Sequence, residues 1–181
     1  MFCDLRYDYD PDSGDGLTHM YYTKTPVFPF GWGKSYTTFT YNWTTNTTVT
    51  VSGSGSHEIG TASLVLEGAV VEAACTVANT GTRSGDAVVL GFINNASSTE
   101  FPRQRLFGFE RVALAPGQSV SVPLVVKAEH LSVVDERGVR WLKPGGFTVQ
   151  VGDVEAPATK VIQLRGAPQL LEDLSGIWSD A

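Results

Sequence analysis

Clusters of basic residues, long apolar runs and paired-cysteine spacings are all missing from this 181-residue sequence, and each absence removes a class of function. Lys and Arg number 13 against 19 Asp and Glu, for a net charge of −6 and a pI near 5.0. The basic residues are scattered, which excludes a nucleic-acid surface and an anionic membrane partner, since both need clustered cations. No apolar run approaches the roughly 18 residues that a membrane-spanning helix requires. The chain opens Met1-Phe2-Cys3-Asp4-Leu5-Arg6, without the basic start, apolar stretch and cleavage site of a secretion leader. Only two cysteines occur, Cys3 and Cys75, too far apart for a zinc or redox motif. Cys75 lies in the apolar run from Val70 to Val77 and reads as a small buried hydrophobe. The three histidines, His19, His57 and His130, show no ligand spacing, so no metal is expected. Gly31-x-Gly33 has Tyr36 where a dinucleotide fingerprint has its third glycine, and no Gly-x-Ser-x-Gly occurs, so no cofactor and no serine hydrolase is expected.

What is present is an ordinary globular composition, 42% hydrophobic, in a length that fits one domain or one domain with part of another. Residues 1–25 read as irregular, with a polar, turn-prone stretch from Asp8 to Gly16. Pro26-Val27-Phe28-Pro29-Phe30-Gly31-Trp32-Gly33 excludes a regular helix and predicts an extended, packed segment. Between 42 and 60 Thr, Ser, Asn and Gly dominate. Asn42 to Ser52 predicts one exposed strand, and Ser52-Gly53-Ser54-Gly55-Ser56 a flexible connection. From 61 onward the pattern is all-β. Strands are predicted at Ser63–Glu67, Val70–Ala78, Ala87–Ile93, Leu106–Leu114, Ser119–Val126, Phe147–Val151 and Lys160–Leu164. Turn signals separate them: Asn79-Thr80-Gly81, Pro116-Gly117, Arg137-Gly138 and Pro144-Gly145-Gly146. About seven short strands in this spacing predict an immunoglobulin-like sandwich. One helical turn is expected within Lys127–Val133 and a short terminal helix over Leu170–Ile177.

The candidates for chemistry are few. Asp135-Glu136 and Glu172-Asp173 are adjacent carboxylates, but strand neighbours point to opposite faces, so neither is a natural dyad. Asp135-Glu136 precedes Arg137-Gly138 and reads as a hairpin tip. The spacing Asp8-x-Asp10-x-Asp12 has Ser13 where a calcium loop of the helix–loop–helix type needs Gly, and His19 where it needs Glu, which favours a plain surface loop. A dense aromatic cluster, with Phe28, Phe30, Trp32 and Tyr36 at its centre, suits either packing between structural units or stacking on sugar rings. Three glycosylation sequons begin at Asn42, Asn46 and Asn95. They fit a secreted body, and with no leader present they predict a true N-terminus upstream of Met1.

Two stretches carry a resemblance. Pro26-Val27-Phe28-Pro29-Phe30-Gly31-Trp32-Gly33-Lys34-Ser35-Tyr36-Thr37-Thr38-Phe39 resembles the Pro-Phe-Gly-x-Gly-Leu-Ser-Tyr-Thr-x-Phe signature that ends the second domain of family 3 glycoside hydrolases. Met20-Tyr21-Tyr22-Thr23 is similar to the lead-in of that family's xylosidase branch. Arg105-Leu106-Phe107-Gly108-Phe109-Glu110-Arg111-Val112-Ala113-Leu114-Ala115-Pro116-Gly117-Gln118-Ser119 resembles the run that marks the family's closing fibronectin type III-like domain. Leu131 to Asp135 and Pro144 to Gly152 continue the likeness. Lys34 departs from it, standing where the family has an apolar residue.

The resemblance implies four segments. Residues 1–41 would be the end of the family's α/β second domain, 42–60 a linker or loop, 61–166 the fibronectin type III-like sandwich, and 167–181 a tail. It implies a retaining, exo-acting parent enzyme, xylosidase-like ahead of glucosidase-like, secreted and active in polysaccharide breakdown. Such an enzyme needs two carboxyl groups about 5 Å apart across the scissile bond. In the family these come from the barrel and the second domain, and neither segment matches any position here. No catalytic residue is therefore expected in this chain. Its expected partners are the parent's catalytic domains. The alternative is a stand-alone sandwich that binds carbohydrate or protein.

Overall fold

The computed structural model describes residues 16, 18–43, 50–52, 71–165 and 167–173. It bears out the all-β sandwich. A five-stranded sheet has the order β2 (Thr50–Ser52), β10 (Ala158–Arg165), β9 (Gly145–Val151), β4 (Gly85–Asn94) and β5 (Arg105–Leu114). Facing it is a three-stranded antiparallel sheet of β1 (Phe39–Trp43), β3 (Val71–Asn79) and β6 (Ser119–Val126). Alternation places the core. Val122, Leu124 and Val126 of β6 are buried while Ser119, Ser121 and Pro123 face out. Cys75 and Val77 of β3, Ala87, Val89 and Ile93 of β4, and Phe147, Val149 and Val151 of β9 close the same core from both sheets. Cys75 is a free, buried thiol within it, as a small hydrophobe would be.

One local irregularity lets the core fill. β4 and β5 pair in antiparallel register until Gly91↔Gly108, then resume at Phe92↔Leu106, which leaves Phe107 as the extra residue of a bulge. The ring of Phe107 turns inward over Gly91, where a β-carbon would come within 2.7 Å of it. The glycine in the run Val88-Val89-Leu90-Gly91-Phe92 is thus the seat of a ring.

Several expectations need correction. The predicted terminal helix from Leu170 is strand over Gln169–Asp173, here β11, and residues 174–177 lie outside the described set. β11 pairs with β8 (Val139–Leu142), which pairs with β7 (Ser132–Val134), giving a third, three-stranded sheet. The available edge of β8 overrides the weak local preference of Leu170-Leu171-Glu172. β7 and β8 were not anticipated as strands, because three and four residues are too few to show alternation; the hairpin tip between them was. Within 61–166 the described residues hold eight strands, β3 to β10, in line with the expected seven or so. The single strand predicted over Asn42–Ser52 is instead two, β1 and β2, which join opposite sheets. β1 runs across residue 41, and β2 pairs in parallel with β10, so the stretch 42–60 read as a linker or loop supplies strand at 42–43 and at 50–52.

The predicted helical turn is α2 (Ala128–Leu131), and a further turn, α1 (Thr18–Tyr21), stands in the segment read as irregular. The predicted strand Ser63–Glu67, the loop Asp8–Gly16 apart from Gly16, Cys3, Asn46 and His57 lie outside the described residues. Among the described residues no helix is long and apolar enough to cross a membrane.

Candidate functional site

The aromatic segment does not join the core; it lies against the outer face of the five-stranded sheet. Its shape comes from one turn. Trp32 N–H donates to the carbonyl of Pro29 at 2.9 Å, and Gly31, third of the four residues, has φ +87°. That is the geometry of a type II turn, which calls for glycine at this place. A side chain on Gly31 would also press within 2.5 Å of Leu90 on β4 and 3.2 Å of Val154. The turn is therefore glycine for its backbone angle and for its contact.

From the turn two aromatic pairs diverge. Phe30 stacks on His19 with centroids 4.1 Å apart and meets Phe92 edge-on at 6.0 Å. Phe92 is the outward residue of β4 opposite the β5 bulge and is only 3% exposed, so the tail covers what the core does not. Burial holds the His19 imidazole below its ordinary pKa, and the neutral ring is the one that stacks. Phe28 leans on Trp32 at 4.4 Å. Trp32 Nε1–H donates to Glu155 at 3.2 Å, and Lys34 Nζ stands 5.9 Å from the Trp32 ring. Lys34, the departure noted in the sequence, thus finds an aromatic face for its charge. Arg103 N–H, donating to the carbonyl of Met20 at 2.8 Å, ties α1 to the same surface.

The segment's end is anchored by a polar knot that sequence reading missed. Asn79 is buried at the end of β3 and uses its whole amide. Its Nδ2 donates to the carbonyls of Arg83 (2.8 Å) and Leu114 (2.9 Å). Its Oδ1 accepts from Thr37 Oγ1 (2.7 Å) and Gly81 N–H (3.1 Å). The only signal available was the Asn79-Thr80-Gly81 turn itself, which says nothing of Thr37.

Much of the tail's apolar surface is nevertheless bare. Tyr36 is 95% exposed and Phe28 61%, with Val27 and Phe30 also open to solvent. Of the four aromatics singled out in the sequence, the structure pairs Phe28 with Trp32, sets Phe30 against His19 and Phe92, and leaves Tyr36 almost fully exposed.

The carboxylates hold structural posts. Asp135 accepts from Arg137 N–H and Val139 N–H, both at 2.9 Å, and from Trp141 Nε1–H at 3.0 Å. These donors, the Val139 amide foremost, hold its carboxyl below the usual carboxylate range. Glu172 pairs with Arg140 at 3.2 Å across β11 and β8. His130 accepts at Nδ1 from Lys127 N–H at 3.0 Å, which closes the start of α2. Among the described residues no three His, Cys, Asp or Glu side chains converge on a metal position. Of the sequons, Asn42 is exposed on β1, whereas Asn95 is half-buried and its side-chain Oδ1 accepts from Ser97 N–H at 3.1 Å.

A fibronectin type III-like domain model matches residues 87–155. Exo-1,4-beta-xylosidase xlnD of Emericella nidulans is 32% identical over 174 residues, covering 90% of this chain and 21% of that protein. Xylan 1,4-beta-xylosidase of Xylanibacter ruminicola is 30% identical and covers 80% of this chain, 15% of its own length. Periplasmic beta-glucosidase of Salmonella typhimurium is 30% identical over 80% of the chain. The solved structure of a GH3 exo-beta-xylosidase (XlnD), in complex with a xylobiose aziridine probe, superposes with a TM-score of 0.74 at 29% identity. That match covers 97% of this chain and 24% of the solved one. The chain thus spans about a fifth of the length of the relatives it matches.

Proposed function

The chain belongs to the family 3 glycoside hydrolases, as their C-terminal region with its fibronectin type III-like domain, and from that premise we propose that it is the non-catalytic structural end of a retaining, exo-acting enzyme of the xylan 1,4-β-xylosidase kind. The parent would release sugars from non-reducing ends in two steps, with nucleophile and acid/base carboxylates supplied by its other domains. The role of this chain is to brace those domains against one another.

The observation that carries the reading is that the tail is docked in part and open in part. Phe30, Gly31 and Trp32 lock the tail to the sandwich, while Val27, Phe28 and Tyr36 are left in water. Apolar side chains left open along one segment mark a surface that another body covers. The polypeptide that carries this chain in full is expected to cleave an aryl β-xyloside faster than the corresponding glucoside. The 181-residue chain alone is expected to cleave neither. Turnover by the isolated chain would falsify the structural role, and a full polypeptide active only on glucosides would move the parent to the glucosidases.

One observation favours a second reading, sugar binding by the chain itself: the open Phe28 ring leans on Trp32, whose indole meets the Glu155 carboxylate and the Lys34 amine. Retention of the chain on immobilised xylan, lost in Trp32→Ala, would support it. Passage through the column without delay would remove it. A secreted parent fits the solvent-facing Asn42, which is the sequon expected to carry glycan when the protein is made in a secretory host.

A further inference from the structure

The tail covers only part of the sheet face on which it lies. Asp86, Val88, Leu90 and Phe92 alternate onto that face, opposite to the core residues Ala87, Val89 and Ile93. The β4–β5 register sets Phe109 beside Leu90 and Arg111 beside Val88, and directly paired residues share a face. Along this row the surroundings change in order. Phe92 is sealed under His19 and Phe30, and Leu90 is half-covered at Gly31. Phe109 and Val88 are then bare, at 68% and 50% exposure, and the Asp86–Arg111 ion pair at 2.6 Å closes the far end. An apolar centre with a charged margin is the layout of an interface core and its rim. The outward side of β6, on the other sheet, offers mostly Ser119, Ser121, Pro123 and Lys127, with no aromatic ring.

Resting on the reading of the chain as the end of a larger glycosidase, we propose that Phe109 and Val88 are a second seat for the parent polypeptide, which lies across β4 and β5 beside the tail. Two facts select this occupant. The face is continuous with the seam where the tail already packs. The chain also spans about a fifth of its relatives' length, so most of the parent's surface lies elsewhere in the polypeptide. The patch is apolar with a single ion pair at its rim, so it fits an apolar surface edged by polar groups.

The test places the photo-crosslinking residue benzoylphenylalanine at position 109 in the protein as its gene encodes it, and separately at 28 and at 125 on β6. On irradiation, position 109 is expected to cross-link within the same polypeptide to a peptide outside residues 1–181, with position 125 yielding no such product. Cross-links confined to residues 1–181, a covalent dimer of two copies, or no product at 109 would each overturn the inference, as would an equal yield from 125. Cross-linking from 28 without 109 removes this second seat and leaves the bracing role standing; silence at both removes both.

Discussion

Asn79 shows what a single buried amide can hold together. Two donors and two acceptances join the tail at Thr37, the turn at Gly81 and Arg83, and the end of β5 at Leu114. Its backbone adds the turn before β6: Asn79 N–H donates to Gln118 and its carbonyl accepts from Gly117, both at 2.9 Å. Asn79→Ala would strip four partners at once, two of them carbonyls in a closed site. The expected loss is about 3 kcal/mol of unfolding free energy, at the upper end for a buried unsatisfied group. Denaturant unfolding of the variant checks it. Asn79→Asp should be no better, since it keeps the two acceptances but turns an anion toward the carbonyls of Arg83 and Leu114. Gly91 is a second such position, for shape rather than polarity. Gly91→Val would drive its side chain into the Phe107 ring and is expected to cost at least 2 kcal/mol, as overpacking of a filled core does. A matching fall in the urea midpoint is the readout.

At the scale of elements, what was legible in the sequence follows from length and period. β3, β4, β5 and β6 run for eight to ten residues, long enough for alternation and turn signals to define them. β7 and β8 hold three and four residues, and what fixes them is a side chain rather than a pattern. The Asp135 carboxylate gathers two tip amides and the Trp141 indole, which shapes the hairpin. β11 was misread because its partner, the edge of β8, lies nearly 30 residues away. The aromatic tail was legible as a cluster. That it lies outside the core, on Leu90 and Phe92, was not, because the bulge that turns Phe107 inward leaves no local sign.

The start of α2 adds a pH response. Lys127 N–H needs the lone pair on His130 Nδ1, and Arg105 fixes the helix from its other end by donating to the carbonyls of Glu129, His130 and Ser132. The groups facing the imidazole are Glu129, Lys127 and Arg105. Burial first, then the two cations, hold its pKa below 6.5 against the opposing pull of Glu129. The unfolded chain therefore takes a proton first as pH falls below about 6.5. Stability is full above that value, declines as pH drops through the window down to the folded pKa, and is level beneath it. His19 is shifted the same way by burial. Unfolding free energy measured from pH 7.5 to pH 5 is expected to slope downward with acidity, and His130→Gln is expected to flatten part of that slope. An unchanged slope in the variant would assign the response elsewhere.

For the molecule as a whole, the question is whether tail and sandwich form one cooperative unit. The sandwich has a core drawn from both sheets, and none of Phe28, Phe30 or Trp32 belongs to it. The tail is held by the Gly31 turn, by aromatic contacts of Phe30 with His19 and Phe92, and by a few hydrogen bonds at its two ends. It also carries a strained residue: Thr18, β-branched, has φ +63° at the start of α1. Such an angle persists only where surrounding contacts enforce it. Gly31→Ala attacks the one point on which the docking depends, since alanine meets both the positive φ and Leu90 2.5 Å away. The strands lie behind that contact and need not move. The expected outcome is faster cleavage by a broad-specificity protease between residues 18 and 35, with the thermal midpoint of the remaining domain shifted by only a few degrees. Because Phe92 would be uncovered, binding of an apolar dye should rise in step with cleavage. A variant that loses the sandwich transition together with the tail would show instead that the outer face is part of the folding core. In that case covering the exposed rings would add stability to the whole domain and not only order to its edge.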